Sequence, residues 1–163
     1  MTVASRRSVK SDIPSGVQYA ALPYRVKDSA TEILLVTSKH NRRWIVPKGW
    51  PIEGQLPQDS AAREALEEAG VSGDVESVAL GFFHYFKTLK RNLIIPCKVD
   101  VFALRVTRCR KNWSESSARQ RRWHSIDDAV AAVIEPQLRL LIRKFAARDR
   151  LSSARPKGSQ NFG

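Results

Sequence analysis

The most informative part of the chain is residues 49–71, GWPIEGQLPQDSAAREALEEAGV. Pro57 is suited to the first turn of a helix and Gly70 to its C-terminal end, so a helix of about 12 residues is predicted between them. Three carboxylates with i, i+3, i+4 spacing share one face of this helix: Glu64, Glu67 and Glu68. The same spacing puts apolar residues on the opposite face: Ala62, Leu66 and Ala69.

Carboxylates this close together repel one another, and like charges four residues apart destabilise a helix. A cation among them would remove the repulsion. Clustered oxygen ligands suit Mg²⁺ or Mn²⁺, which keep several waters and commonly bridge substrate phosphates. Arg63 precedes Glu64 and lies four residues before Glu67, so it is placed to pair with either of them. The alternative interpretation is an ordinary solvated helix face.

The same stretch resembles the Nudix box, whose family pattern is G-x5-E-x7-R-E-U-x-E-E-x-G-U, with U aliphatic. Every marked position but one agrees with the pattern: Gly49, Arg63, Glu64, Ala65, Glu67, Glu68, Gly70 and Val71. The exception is Gln55, where the family has glutamate. The resemblance covers residues 17–145, and the segments around the box are similar to the branch that contains the diphosphoinositol polyphosphate phosphohydrolases. Residues 47–49, PKG, also look like those of Nudix enzymes that cleave diadenosine polyphosphates.

The resemblance implies a Mg²⁺-dependent hydrolase, with Mn²⁺ as an alternative metal, that cleaves phosphoanhydride bonds by attack of water on phosphorus. It implies these catalytic and metal-binding groups: Glu64, Glu67, Glu68, Arg63 as an orienting residue, and the backbone carbonyl of Lys48 or Gly49. One glutamate would also act as general base, and the sequence leaves open which one.

Many family members carry one more acidic ligand on the loop just before the position of Trp123. Here that loop has no carboxylate immediately before the tryptophan and instead holds Gln120, Arg121 and Arg122. Glu115 is the candidate substitute. The number of metal ions therefore stays open, and so does a third interpretation, a binding module that kept the fold without the activity. The three intact glutamates argue against that interpretation.

The charge balance points to a polyanionic partner. The 163 residues include 28 Lys and Arg against 16 Asp and Glu, a net charge of +12. Such a surplus favours nucleic acid, phosphorylated small molecules or anionic lipid. The predicted substrate contacts are the basic residues of three loops and one tryptophan: Lys39, Arg42, Arg43, Lys48, Trp50, Lys87, Lys90 and Arg91. Trp50 either stacks on a base or covers the loop.

We expect a polyphosphorylated small molecule as substrate, a diphosphoinositol polyphosphate or a diadenosine polyphosphate. The alternative is an RNA 5′-end pyrophosphohydrolase that uses the basic segments 105–124 and 139–163 to bind the RNA backbone, although no RNA-binding module is evident in the sequence. The longest unbroken apolar stretch, 129–134, is too short to span a bilayer, so no membrane contact is expected. Two cysteines are too few for a disulfide scaffold, and a cytoplasmic protein is the expectation.

The order of elements predicts a layered α/β (α+β) domain. Strands are predicted at 17–26, 32–38, 43–46, 75–86 and 94–106, and a second helical region is predicted at 126–150, interrupted near Pro136. A loop is predicted at 47–57 and a basic turn at 87–91. The resemblance refines this to the Nudix fold, an α/β/α sandwich around a mixed β-sheet. The predicted organisation is a mobile basic arm (1–15), a Nudix hydrolase domain (16–150) and a basic polar tail (151–163).

Overall fold

The structure is a computed structural model that describes residues 16–153. The predicted N-terminal arm and residues 154–163 of the predicted tail lie outside the described residues. The strands are β1 (Gly16–Lys27), β2 (Ala30–Thr37), β3 (Trp44–Ile45), β4 (Lys48–Gly49), β5 (Val71–Val75), β6 (Gly81–Thr88), β7 (Ile94–Cys109) and β8 (Arg121–Ser125), and the helices are α1 (Pro57–Ala69), α2 (Ile126–Ala132) and α3 (Pro136–Ser153).

The strands form one mixed sheet. Its main path runs β3-β2-β1-β7-β5, while β4 pairs with β1, β6 pairs with β7, and β8 pairs with β2. β1 and β7 run parallel over residues 16–24 and 97–105, and the other pairs are antiparallel. Residues 33–36 of β2 and 101–104 of β7 are buried without alternation, as expected for strands that are covered on both faces.

Helices cover both faces of the sheet. Ile33 and Leu35 of β2 belong to the core beneath α2 and α3, which also contains Leu138, Ile142 and Phe145. The alternate residues Leu34 and Val36 belong to a second core beneath α1. Because successive side chains of a strand point to opposite faces, one strand contributes to two cores. The predicted α/β/α sandwich around a mixed sheet is therefore confirmed.

The face that α1 buries differs from the prediction. The helix packs on the sheet through Ala61, Ala65 and Ala69, whereas the predicted apolar residues Ala62 and Leu66 are only partly buried. Alanine side chains allow α1 to lie close to the sheet. The buried stripe also includes Glu68, which brings one carboxylate of the Nudix-box pattern inside the molecule.

Three other elements differ from the sequence-based expectations. The predicted strand 75–86 begins too early, because residues 76–80 form an irregular step along β7 between β5, which was not predicted, and β6. The step ends at Gly81, where φ is 156° and a Cβ would lie 2.6 Å from Leu141. β4 lies within the predicted loop 47–57. β8 was not predicted, since its charged residues Arg121 and Arg122 hide the strand pattern.

The C-terminal helical region has the predicted interruption. α2 ends at Ala132, α3 begins at Pro136, and α3 continues to Ser153, three residues past the predicted end. Among the described residues, no helix is long and apolar enough to cross a membrane.

Candidate active site

Helix α1 is held at both ends by contacts that its own sequence provides. Gly70 ends the helix with a left-handed conformation (φ 66°), and its N–H donates to the carbonyls of Ala65 and Leu66, as predicted for a C-terminal glycine. No side chain caps the first turn at Leu56. Instead, the Ile52 N–H donates to Ser60 Oγ over 3.2 Å, which fastens the preceding loop to the helix.

Gly49, at the end of β4, lies directly against Glu64 of α1. A Cβ at position 49 would collide with the Glu64 carboxylate, so this carboxylate fills the space that any other side chain would take. Glu64 is partly buried. Burial raises the pKa of its carboxyl, and the charges of Glu67 and Glu115 raise it further. The predicted crowding of negative charge is therefore present.

Glu68 is the most deeply buried of the three glutamates. Its Oε1 accepts from Arg119 Nη2 at 3.0 Å, and its Oε2 accepts from the backbone N–H of Lys48 at 3.2 Å. Burial raises the pKa of Glu68 to about 7, although the positive charges of Arg119 and Lys48 act in the opposite direction. Glu68 therefore sits between β4 and the loop that precedes β8.

Glu67 lies on the exposed side of α1. Arg63 Nε donates to Glu67 Oε1 at 2.9 Å, which makes the i, i+4 pair that the spacing suggested. Both side chains are exposed by 42% or more. Of the two partners that the sequence offered to Arg63, the structure shows Glu67 as the one within ion-pair distance.

The loop 110–120 adds two charged residues to the site. The Glu115 N–H donates to the backbone carbonyl of Glu67 at 3.1 Å, and Glu115 forms ion pairs with Lys39 and Arg119. Glu115, which the sequence offered as a substitute for the missing acidic ligand, therefore lies at the site. Sequence reasoning missed Arg119, because a single arginine in a basic segment carries no pattern. Its position four residues after Glu115 was the one available signal.

A cleft of about 750 Å³ gathers these groups. It is lined by the three glutamates, Arg63, Gly49, Trp50, Glu115 and four further cations: Lys39, Lys48, Lys87 and Arg119. A second cavity of about 290 Å³ shares those four cations with the cleft and adds His40, Arg43, Tyr85 and Phe86. The structure therefore brings three of the predicted basic contacts, Lys39, Lys48 and Lys87, to the edge of the carboxylate cluster.

Lys48 links the two cavities. Its Nζ lies 4.8 Å from the centre of the Tyr85 ring, and the Tyr85 hydroxyl donates to Gln18. Burial lowers the pKa of Lys48 to about 8, even though the Glu68 carboxylate raises it. An anion bound next to Lys48 would stabilise its protonated form, which burial disfavours, so this lysine is well placed to bind an anion.

The remaining predicted contacts are placed differently. Arg43 lines the second cavity, but its Nη1 donates to the buried carboxylate of Glu135. Arg42, Lys90 and Arg91 are exposed and are not among the residues that line either cavity. Trp50 is 40% exposed, lines the cleft and rests on Gly16, where a Cβ would lie 2.5 Å from the indole.

The carboxylate oxygens are suitable ligands for a divalent cation, but they are not yet arranged around one point. Within residues 16–153, no three His, Cys, Asp or Glu side chains already surround one point that could hold a metal ion. Glu67 and Glu68 are each engaged by an arginine, whereas Glu64 forms no ion pair with a described residue. Oxygen ligands from Glu64, Glu67, Glu68 and the nearby backbone carbonyls are the type that Mg²⁺ prefers. The donor set therefore fits the ion in its chemistry.

Comparisons with known proteins concern the sequence and the fold of the chain. A family model described as NUDIX domain matches residues 17–145. "Nudix hydrolase 12, mitochondrial" of Arabidopsis thaliana is 33% identical over 102 residues, which cover 61% of this chain and 50% of that protein. "Diphosphoinositol polyphosphate phosphohydrolase 3-alpha" of Mus musculus is 34% identical over 113 residues, which cover 68% of this chain and 65% of that protein.

A solved structure of a C. elegans Ap4A hydrolase superposes with a TM-score of 0.63 at 21% identity, covering 83% of this chain and 98% of that chain. At this identity the likeness concerns the fold. The chain spans about half to two thirds of the length of the curated relatives that it matches. The family match covers most of the chain, including α1 and both cavities, and the chain belongs to the Nudix family.

Proposed function

We propose that this chain is a Mg²⁺-dependent Nudix hydrolase, with Mn²⁺ as an alternative metal, that cleaves phosphoanhydride bonds of polyphosphorylated small molecules by attack of water on phosphorus. One observation carries the proposal: three Nudix-box glutamates line the same cleft as four cations besides Arg63, namely Lys39, Lys48, Lys87 and Arg119. Carboxylates beside clustered cations suit a substrate that arrives as a polyanion together with a divalent metal.

The metal would be held by Glu64, Glu67 and Glu68, with the backbone carbonyl of Gly49 or Lys48 as a further ligand. When bound, Mg²⁺ offsets negative charge on the phosphates and acts as a Lewis acid. Gln55, which replaces a family glutamate, keeps an oxygen acceptor but no charge. We therefore expect weaker metal binding than a glutamate at this position would give.

Glu64 is the glutamate that we assign as general base. Glu67 and Glu68 are held by arginines, whereas Glu64 forms no ion pair with a residue of the described part of the chain. In the metal-free protein, burial raises the pKa of its carboxyl, which is the direction that makes a carboxylate a better proton acceptor. Arg63 orients Glu67 and does not itself take a proton.

The substrate phosphates would extend from the glutamates along Lys39, Lys48 and Lys87 into the second cavity. This places several phosphates in contact with cations at once, which favours a polyphosphorylated compound over a lightly charged one. The Mus musculus relative is named for diphosphoinositol polyphosphates and the C. elegans neighbour for Ap4A, so both substrate classes belong in the test. Trp50, at the edge of the cleft, would stack on a base only with the second class.

The test is product analysis by ion-exchange chromatography in the presence of Mg²⁺, repeated with Mn²⁺. The panel contains a diphosphoinositol polyphosphate, diadenosine penta- and hexaphosphate, and a triphosphorylated RNA. Wild type is expected to cleave one of the small-molecule classes, and Glu67→Gln and Glu64→Gln are expected to lose the activity. Glu53→Gln is the matched control, because Glu53 is an exposed glutamate of the adjoining loop that does not line the cleft.

The RNA alternative has one supporting observation. The exposed side of β7 and the following loop carry arginines and a lysine: Arg105, Arg108, Arg110 and Lys111. Cleavage of the RNA alone, with binding that falls steeply as salt rises, would replace the small-molecule proposal with this one. No cleavage of any compound with either metal would instead favour a binding module.

A further inference from the structure

Arg119 is the least expected charged residue of the cleft, and its side chain is only 12% exposed. The guanidinium makes three contacts: Nη2 to Glu68 Oε1 at 3.0 Å, Nε to Glu115 Oε2 at 3.3 Å, and Nη1 to the carbonyl of Thr37 at 3.1 Å. It therefore joins a Nudix-box glutamate to the loop that replaces the family's acidic segment. A residue with these contacts affects the site directly.

The position of Arg119 conflicts with a metal at Glu68. The Glu68 side chain is 8% exposed, with one oxygen bonded to Arg119 and the other to the Lys48 N–H. Little surface remains through which a second cation could reach this carboxylate. Two positive groups at one buried carboxylate also repel each other more strongly than they would in water. A metal that uses Glu68 must therefore displace the guanidinium.

The loop does not depend on the guanidinium for its position. The Gln120 N–H donates to Thr37 Oγ1 at 2.9 Å, and the Thr37 N–H donates to the Gln120 carbonyl at 3.0 Å. Trp113 Nε1 donates to the Glu68 carbonyl and Arg121 Nη1 donates to the Ala69 carbonyl. These contacts fasten both ends of the loop to β2 and α1. The Arg119 side chain can thus exchange partners without moving the backbone.

We propose that Arg119 is an internal counter-ion that competes with the divalent metal for Glu68 and, once displaced, binds a substrate phosphate. The inference rests on the proposed function. Arg119 already lines both the cleft and the second cavity, so a released guanidinium faces the space assigned to the phosphates. Its planar fork of donors matches phosphate oxygens as well as it matches a carboxylate. One residue then lowers metal affinity in the absence of substrate and raises affinity for substrate.

The test compares wild type with Arg119→Gln in two measurements. The first is titration calorimetry with Mg²⁺ alone, carried out at two pH values so that proton release can be separated from metal binding. We expect the variant to bind Mg²⁺ at least about tenfold more tightly than wild type. Steady-state kinetics at saturating Mg²⁺ are expected to show a higher KM for the cleaved substrate. A residue that only stabilises the fold would move neither value in these directions.

Two further variants keep the result interpretable. Arg119→Lys keeps the charge but loses the planar fork, so its Mg²⁺ affinity is expected to lie between those of wild type and Arg119→Gln. Arg148→Gln removes the same charge from an exposed pair with Glu76 outside both cavities, and it is expected to change neither measurement. Thermal unfolding of each variant shows whether it is folded.

Unchanged or weaker Mg²⁺ binding by Arg119→Gln would overturn the inference, and weaker binding would mean that Arg119 holds Glu68 in place for the metal. That result leaves the proposed function standing if wild type cleaves its substrate. If neither wild type nor Arg119→Gln binds Mg²⁺ and no substrate is cleaved, both the inference and the proposed function are overturned. Mg²⁺ binding by the variant alone would support the inference.

Discussion

Replacing Gly49 with alanine would put a methyl group where the Glu64 carboxylate now lies. The colliding atoms are the end of a glutamate side chain and not backbone, so the carboxylate can move aside. We therefore expect a small loss of folding stability, below about 1 kcal/mol and under the usual range for overpacking a rigid core. The loss of activity should be much larger, because a displacement of about 1 Å at a catalytic group costs on the order of 100-fold in rate.

Gly54→Ala is the matched control for this variant. Gly54 lies in the same loop with φ 76°, and nothing lies within 4 Å of a Cβ built there. An alanine at positive φ costs about 1 kcal/mol, which for a domain of this size lowers the melting temperature by about 2–4 °C. The cleft is not affected. The two glycine variants should therefore give opposite results, one losing activity and the other losing stability.

The assay is hydrolysis of whichever compound wild type cleaves, at saturating Mg²⁺, with thermal unfolding of both variants measured in parallel. Gly49→Ala is expected to keep a melting temperature near that of wild type and to lose about two orders of magnitude in kcat. Activity within a few-fold of wild type in a folded Gly49→Ala would refute the assignment of Glu64 as general base in its present position. A loss of activity in Gly54→Ala would show that the loop as a whole, and not the Gly49–Glu64 contact, controls the site.

Two further predictions concern stability. Because burial raises the pKa of Glu68 to about 7, the folded protein holds a proton there that the unfolded chain has lost, so the metal-free protein should lose stability as pH rises from about 4.5 to 7. Denaturant unfolding across this range should show that the free energy of unfolding depends less on pH in Glu68→Gln than in wild type. An equally steep dependence in the variant would contradict the raised pKa of Glu68. The lowered pKa of Lys48 makes stability depend on pH only above this range. Phe145→Ala should cost about 3–5 kcal/mol, because Phe145 is 1% exposed with its ring centre 4.7 Å from that of Tyr24. Leu140→Ala on the exposed side of the same helix should cost less than about 0.5 kcal/mol, and similar losses in the two variants would disprove the core assignment.

The parts of the fold that local chemistry specifies could be predicted from the sequence. Pro57 and Gly70 mark the ends of α1 because each has a backbone preference that acts without tertiary contacts. Pro136 divides the C-terminal helical region for the same reason, since proline is tolerated in the first turn of a helix but not in its interior. The glutamate spacing likewise predicts that the three carboxylates lie near one another, although it does not predict which of them is buried.

The parts that depend on long-range pairing could not be predicted in this way. β8 carries Arg121 and Arg122, and it is a strand because β2 offers it an edge, not because its own residues alternate in polarity. The step at 76–80 results from two strands that pair with different halves of β7. Arg119 enters the cleft because the loop is fastened to Thr37, more than 80 residues earlier in the chain. None of these contacts leaves a local signal.

The ion pair between Arg119 and Glu68 also affects how much of the net charge of +12 is available to bind substrate. Before metal binds, Arg119 is paired with Glu68, so this cation of the cleft already has a carboxylate partner. Metal binding at Glu68 would release the Arg119 guanidinium beside the space for substrate. Metal and polyanion should therefore bind with positive coupling, and by linkage each must raise the affinity of the other by the same factor. The positive charge of Arg119 then contributes to substrate binding only when the metal has first replaced it at Glu68, whereas Lys48 and Lys87 form no ion pair with a carboxylate of the described residues.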